Sequence, residues 1–431
     1  MEVVAHDVLI VGGGVAAMRA ATAAAEASPG SSIALVSRSL PAFGPVPGDP
    51  GVATALGAGD SPEAHALDSV RGGDFLADQD AVLSFAAAAP AEVVRLDRAG
   101  CPWSRDLGGG IALRPAPGMS AARVAVAGEK TGFHVHRTLF LALLGREEIV
   151  RYDEVMVTKL VEDDGAVAGA VMVEIRTGRV LAVAARAVVL AAGGPVAALA
   201  YRAGVPLKDP EFDRIGGVPT DSRGRAPLKG LFAAGHGSCP SVHGARRLPG
   251  NCLAAALVFG GAAGEEAAWT DRVPVNRSLI EAQAADEARR IGGLLRSSGT
   301  ERAENLGREL GETMEQGCGA ARDAAGLEAA AAKLSELRAR LGRVRPDDWG
   351  PGWNAGLVKA LGLDLELDCA AAAVQAALSR QETRGVHVRS DHPARDDLRF
   401  LRHTLVHRSA SGPRVDFAPV NLAKWRPGES G

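Results

Sequence analysis

Cysteine is sparse and scattered. Cys101, Cys239, Cys252, Cys318 and Cys369 contain no CxxC pair, which fits a reducing compartment and excludes a cysteine-held iron–sulfur or zinc site within this chain. The histidines are not at ligand spacing, so no metal site is expected. An excess of one charge sign is lacking too. Lys and Arg number 48 against 51 Asp and Glu, a net charge near −3, and without a basic stripe to neutralise phosphates a nucleic-acid partner is not expected. Apolar runs such as Leu253–Phe259 and Val188–Ala192 fall far short of a membrane span. The opening MEVVAHDVLIVGGG has no basic n-region, so no signal peptide is expected and the cytoplasm is the expected location. Serine and cysteine nucleophile chemistry has nothing behind it, with no GxSxG and no cysteine beside an evident base.

What is present reads as a soluble globular chain, 47% apolar and 23% charged over 431 residues, a length for about two or three domains. Val8–Val11 is a short apolar strand, Gly12, Gly13 and Gly14 turn it into the helix MRAATAAAEA, and Ile33–Val36 reads as the next strand. This βαβ opening carries G-x-G-x-x-A at Gly12, Gly14 and Ala17. The first glycine makes the tight turn, the second lets backbone amides approach a pyrophosphate, and small Ala17 lets the helix lie close to the strand. The second strand ends in Ser37-Arg38, where many dinucleotide folds place an acid for a ribose hydroxyl; Ser37 can still donate and accept there. Residues 39–57 form a proline- and glycine-rich loop without periodicity. The pattern from Ser61 to Ala99 is helical, with Asp60 or Ser61 as N-cap and the polar residues of GGDFLADQDAV as helix caps. Between Ile149 and Leu190, turn signals at Asp163-Asp164-Gly165 and Thr177-Gly178-Arg179 predict hairpins of a β-meander. VVLAAGG (Val188–Gly194) returns to the main sheet and brings Ala192 and Gly193 close to a cofactor.

The stretch Gly230–Gly264 organises the rest. A short buried strand ends at a glycine, Gly235. A loop dense in glycine, histidine and arginine follows from His236 to Gly250. Asn251 or Cys252 then opens a helix apolar on nearly every face. A buried helix whose N-terminus meets a basic loop is a place to hold an anion. This stretch resembles the flavin-contacting motif of the succinate dehydrogenase/fumarate reductase flavoprotein family, to which L-aspartate oxidase also belongs. There the loop reads close to VHGANRLGGNSL; here it is VHGARRLPGNCL. LSRQETRGVHVRSDHPARDD (Leu378–Asp397) and APVNL resemble later segments of the succinate dehydrogenase and fumarate reductase branch, and the Arg/His/Asp cluster reads as a structural salt-bridge network joining a helical domain to the FAD domain.

The resemblance implies an α/β fold: a Rossmann-like FAD-binding domain of glutathione-reductase type over 1–270, with a β-meander at about 149–190, then a helical C-terminal domain over 271–400 and a tail over 401–431. It implies FAD contacts from Gly12, Gly13, Gly14, Ala17, Ser37, Arg38, Gly51, Ala192, Gly193, Gly235, His236, Asn251, Cys252 and Leu253, the last two through their amides. Ser-Lys is common in the family where this chain has Ser37-Arg38. The histidine that can bond FAD covalently in that family falls at Gly44, so FAD is expected to be held non-covalently. The family's TGDG acid, its HPT segment and its mobile capping domain have no counterpart near 195–217. The place of the returning histidine is held by Phe212 or is deleted. Arg247 remains as the dicarboxylate-binding arginine, Arg246 adds a cation where the family has Asn, and His236 stands where the family has a glutamate. Arg247 and His243 are the candidate catalytic residues. Two function classes stay open. One is an FAD-dependent oxidoreductase moving hydride between flavin and an anionic substrate, with an iron–sulfur or other electron-transfer subunit as partner and any membrane association made through it. The other is a non-catalytic or electron-relay flavoprotein or scaffold.

Overall fold

The computed structural model describes residues 2–41, 50–212, 215–271, 276–348 and 350–428. Its main strands are β1 (Glu2–Val11), β2 (Ile33–Ser37), β3 (Ile149–Asp153), β4 (Val155–Asp163), β5 (Ala166–Glu174), β6 (Val180–Leu190), β7 (Leu207–Lys208), β8 (Leu231–Ala233), β9 (Arg402–His407) and β10 (Arg414–Pro419). Its main helices are α1 (Val15–Ala27), α2 (Pro62–Gly72), α3 (Gln79–Arg98), α4 (Thr131–Leu144), α5 (Ala197–Arg202), α6 (Asn251–Ala268), α7 (Arg277–Leu295), α8 (Ala303–Cys318), α9 (Ala324–Leu341) and α10 (Ala355–Ser379).

β1 is central because its VLIV end is apolar toward both faces and is buried by both. It pairs in parallel with β2 (Val8 opposite Ile33, Val11 opposite Val36) and with β6 (Glu2 opposite Leu181, Val11 opposite Leu190). The strand therefore begins six residues before the expected Val8, because β6 is long enough to pair with Glu2–His6. β3 extends the sheet beyond β2. The far edge of β6 is shared: Val180–Ala184 pairs antiparallel with β5, and Val188–Leu190 pairs parallel with β8. β4 and β5 form the expected hairpin through Asp164 and Gly165, both at positive φ, as such a tight turn requires. This is a dinucleotide-binding sheet with a meander inserted before its last strand.

On one face, α1 and α6 lie against each other with almost nothing between them. A Cβ at Gly260 would stand 2.7 Å from the Ala16 carbonyl oxygen, and one at Gly264 would stand 2.0 Å from that of Ala20. Contacts that advance together along both helices make them parallel. α3 is tied to the pair by Arg19, whose Nε and Nη2 donate to Glu92 at 2.7 and 3.0 Å. On the other side, α7 covers the meander through Ile280 and Ala284 packed on Val161, Val171, Ala182 and Ala184. α8, α9 and α10 share a separate Leu/Ala core. Ser61 caps α2, accepting from the Ala64 amide.

The connection from β6 to β8 is short, and among its described residues it holds only α5, β7 and single-turn or two-residue elements. It is stitched to the C-terminal segment instead, since β7 pairs antiparallel with β9, and β9 with β10. Residues 378–397 form the expected structural network, with Arg380 at its centre. The fully buried Arg380 guanidinium donates to Glu211 Oε1 (2.7 Å), Glu382 Oε1 (2.9 Å) and Thr404 Oγ1 (2.8 Å), and lies over the rings of Phe212 and Phe400. Arg384 grips Glu382 with two donors and reaches Asp397. Phe212 faces this network and the edge of His387.

The helix pair yields a contrast. Gly264→Ala is expected to cost about 1–3 kcal/mol of stability or more, read as a lower urea midpoint, because its methyl meets backbone. Gly311→Ala, inside α8 with nothing near its Cβ position, is expected to raise stability by about 0.5–1 kcal/mol. Equal midpoints for the two variants would remove the tight helix contact from the account.

Candidate functional site

The first element is the turn before α1. Gly12, at φ +145, passes so close to the end of β6 that a Cβ would sit 2.4 Å from the Ala191 carbonyl oxygen. Gly14, the N-cap of α1, faces open space, with nothing within 4 Å of its Cβ position and no acidic residue in the helix's first turn. An amide-rich helix end facing a void is an anion cradle. Ala17 is buried in the core below it. His136 of α4 was not singled out from the sequence. It hydrogen-bonds the backbone at Gly13, leaves its buried Nε2 without a protein partner, and burial lowers its pKa.

Ser37 is buried beside Gly13, and its Oγ donates to the Ser39 carbonyl at 2.5 Å and lies 3.4 Å from Asp153 Oδ1. Asp153 closes the neighbouring strand β3, so a carboxylate does stand at this end of the sheet, delivered by a residue distant in sequence. Arg38 is exposed. Gly51 is held by packing rather than by an open approach, since its Cβ would stand 2.4 Å from the Ala125 carbonyl oxygen. Gly44 lies outside the described residues.

The loops after β6 and β8 run side by side. Gly193 is exposed with His236 Cβ 3.7 Å from its Cβ position, a Cβ at Gly237 would meet the Ala192 carbonyl at 2.7 Å, and one at Gly235 would meet Ala16. α6 then starts after Gly250, whose φ of +83 turns the chain into the helix. Asn251 departs from expectation. Its side chain points into the protein, Oδ1 accepting from His65 Nε2 at 2.8 Å and Nδ2 donating to Ser69 Oγ at 2.9 Å, so it anchors α6 to α2. Leu253 is likewise a core side chain, leaving its backbone as the part that can face a ligand.

Cys252 also corrects an expectation, because it does have a base nearby: its Sγ lies 3.1 Å from His236 Nε2. Cys252, His236, Ser238, Pro240, His243 and Arg247 line one cleft. His243 is buried with an unpartnered Nδ1. Burial first, then Arg247 and His236, hold its pKa well below the usual imidazole value, so it is neutral at physiological pH.

Below the loop, Asp78 departs from its expected capping role. It stands at the N-cap of α3, but its carboxylate receives Lys208 Nζ (2.8 Å), the Asn421 amide and His403 Nε2 (3.1 Å) instead. His403 Nδ1 is 2.7 Å from Asp209 Oδ2, and Ser241 Oγ is 3.2 Å from His403 Nε2. Burial pulls the His403 pKa down, but Asp209 and Asp78 outweigh it and the net shift is upward.

Two helix starts facing one groove, with glycine where backbone must approach and an unpartnered imidazole in the cleft, fit a dinucleotide cofactor. The chain matches the family described as FAD binding domain over residues 7–210 and 209–253, and that described as fumarate reductase flavoprotein C-term over 307–431. It belongs to the fumarate reductase/succinate dehydrogenase flavoprotein family. It is an FAD-dependent oxidoreductase of that family. The fumarate reductase flavoprotein subunit of Mycobacterium tuberculosis H37Rv is 34% identical over 576 aligned positions, spanning 98% of each chain, and that of Escherichia coli K12 is 30% identical, spanning 99% of this chain and 96% of its own. A chain of E. coli quinol fumarate reductase superposes with a TM-score of 0.95 at 29% identity, covering 100% of this chain and 99% of that one. The Mycobacterium smegmatis Sdh1 complex gives 0.90 at 25%, covering 99% and 96%. An alignment of 576 positions against 431 residues leaves at least 145 positions empty here. The two stretches matched to the FAD-binding family meet at 209–210, inside the short connection between β6 and β8.

The His403 clamp carries a pH signature. A histidine whose folded pKa is raised gives stability that is complete below its unfolded value, about 6.5, and is lost as pH rises through the folded value. Melting temperature is therefore expected to fall on going upward from near neutral pH, and His403→Gln to flatten that slope. An unchanged slope in the variant would contradict the clamp.

Proposed function

We propose that this protein transfers hydride between FAD, held non-covalently, and a small anionic substrate, with Arg247 as the carboxylate clamp. The observation that carries the reading is the placement of Arg247 and His243 in one cleft with the first turn of α6. Bound FAD would supply a ring that accepts hydride and gathers negative charge on its pyrimidine side. The start of α6, with no acid in its first turn, favours negative charge there through its amides and dipole, and the Cys252 and Leu253 amides are the ones it would use. The turn at Gly12, Gly13 and Gly14 would hold the pyrophosphate. Arg247 presents a planar fork suited to a carboxylate. His243, neutral, orients substrate by hydrogen bonding; a group with so low a pKa is a poor general acid near neutral pH.

An electron-transfer subunit is the proposed partner. The chain has no cluster-binding cysteine spacing, and the relatives are named as flavoprotein subunits. Among the described residues no helix is long and apolar enough to cross a membrane, so membrane association would come through that partner. A second reading, an electron relay or scaffold, is favoured by one observation: with only a short connection between β6 and β8, His236 stands exposed at the cleft.

The test is an anaerobic visible spectrum of protein loaded with FAD, reduced chemically and mixed with fumarate. Return of the oxidised band, slowed by about tenfold or more in Arg247→Lys, is expected for dicarboxylate chemistry. A bound flavin that stays reduced with fumarate and other small anionic acceptors favours the relay. Failure to take up flavin overturns the enzyme reading.

A further inference from the structure

Cys252 is the second residue of α6 and half-buried, and its sulfur lies 3.1 Å from Nε2 of the exposed His236. Two influences act on this thiol in the same direction. The amides and dipole of a helix start favour the thiolate, and an adjacent imidazole accepts its proton. The same cleft holds His243, over nine-tenths buried with Nδ1 lacking a partner, and the Arg247 guanidinium. An unsatisfied polar atom on a residue that lines a cationic cleft points to a ligand that belongs there. The other cysteines provide an internal contrast. Burial pushes Cys101 up to about 11 and Cys239 and Cys369 up to about 12, and Cys318 is the last residue of α8, where the helix dipole opposes a thiolate.

We propose that Cys252 and His236 form a thiolate–imidazolium pair at the mouth of the cofactor cleft, a nucleophilic site for hydroperoxides that bound FAD covers. The sulfur attacks the terminal peroxide oxygen. The S–O bond forms as the O–O bond breaks, sulfur loses two electrons to become a sulfenic acid, and the His236 imidazolium gives its proton to the departing oxygen, which leaves as water or an alcohol. Only the covering by FAD rests on the proposed function; the thiol pair stands on the chain's own geometry.

The test is iodoacetamide labelling of the full chain near pH 6, read by peptide mass spectrometry with and without FAD, with flavin uptake followed separately by its visible band. Without FAD, Cys252 is expected to label about tenfold or more faster than Cys318, because a free thiol is about 99% protonated there. His236→Gln, or His236→Asn if the first folds poorly by circular dichroism, is expected to abolish the difference. Prior hydrogen peroxide is expected to block labelling reversibly by dithiothreitol, and FAD to slow it. Labelling no faster than Cys318, unaffected by the His236 variants, or insensitive to peroxide overturns the pair. Flavin uptake that leaves Cys252 unprotected overturns the covering. Fast labelling in a chain that takes up no flavin upholds the pair while removing the FAD reading.

Discussion

Backbone contact between α1 and α6 is the constraint from which the site follows. With glycine at 260 and 264 and alanine at 16 and 20, the helices touch without intervening side chains. They run parallel, and α6 begins nine residues before Gly260 whereas α1 begins one before Ala16, so the start of α6 stands about 12 Å beyond that of α1 at 1.5 Å per residue. Two helix ends that favour negative charge thus lie along one groove, as an extended cofactor with a pyrophosphate and a reducible ring requires. Larger residues at the contact would push the helices apart and spoil the alignment.

The second constraint is imposed by the short connection between β6 and β8. Asp209 and Glu211 follow β7 as buried carboxylates, which would be costly alone. Arg380, Thr404 and His403, all brought by the C-terminal segment, bond Asp209 and Glu211 Oε1, while Glu211 Oε2 is left without a partner. Such a pair adds little net stability compared with an apolar core, but removing one partner leaves a buried charge uncompensated. The network therefore fixes position: it holds β7 against β9 and seats Phe212 in the gap.

The βαβ opening, the meander and the buried helix at Asn251 were legible because each is written locally, in apolar periodicity bounded by glycine. The family was legible from the GARRLPGNCL loop and the Arg380–Asp397 cluster. Side-chain partners across the fold were not. Asp153 meets Ser37 and His65 meets Asn251 only because β2 lies beside β3 and α2 beside α6. Cys252 and His236 are 16 residues apart with an irregular loop between them, so no period relates them. Asp78 reads as a cap by position, yet the stronger pull of Lys208 and His403 takes its carboxylate away.

The most direct measurement is the midpoint potential of the bound flavin, by spectroelectrochemical titration beside free FAD in the same buffer. A helix start and Arg247, placed beside the ring as proposed, would stabilise the reduced, negatively charged form, so the bound potential is predicted to be the more positive. A bound potential equal to or below that of free FAD would show that α6 does not aim its positive end at the cofactor, and would contradict the account.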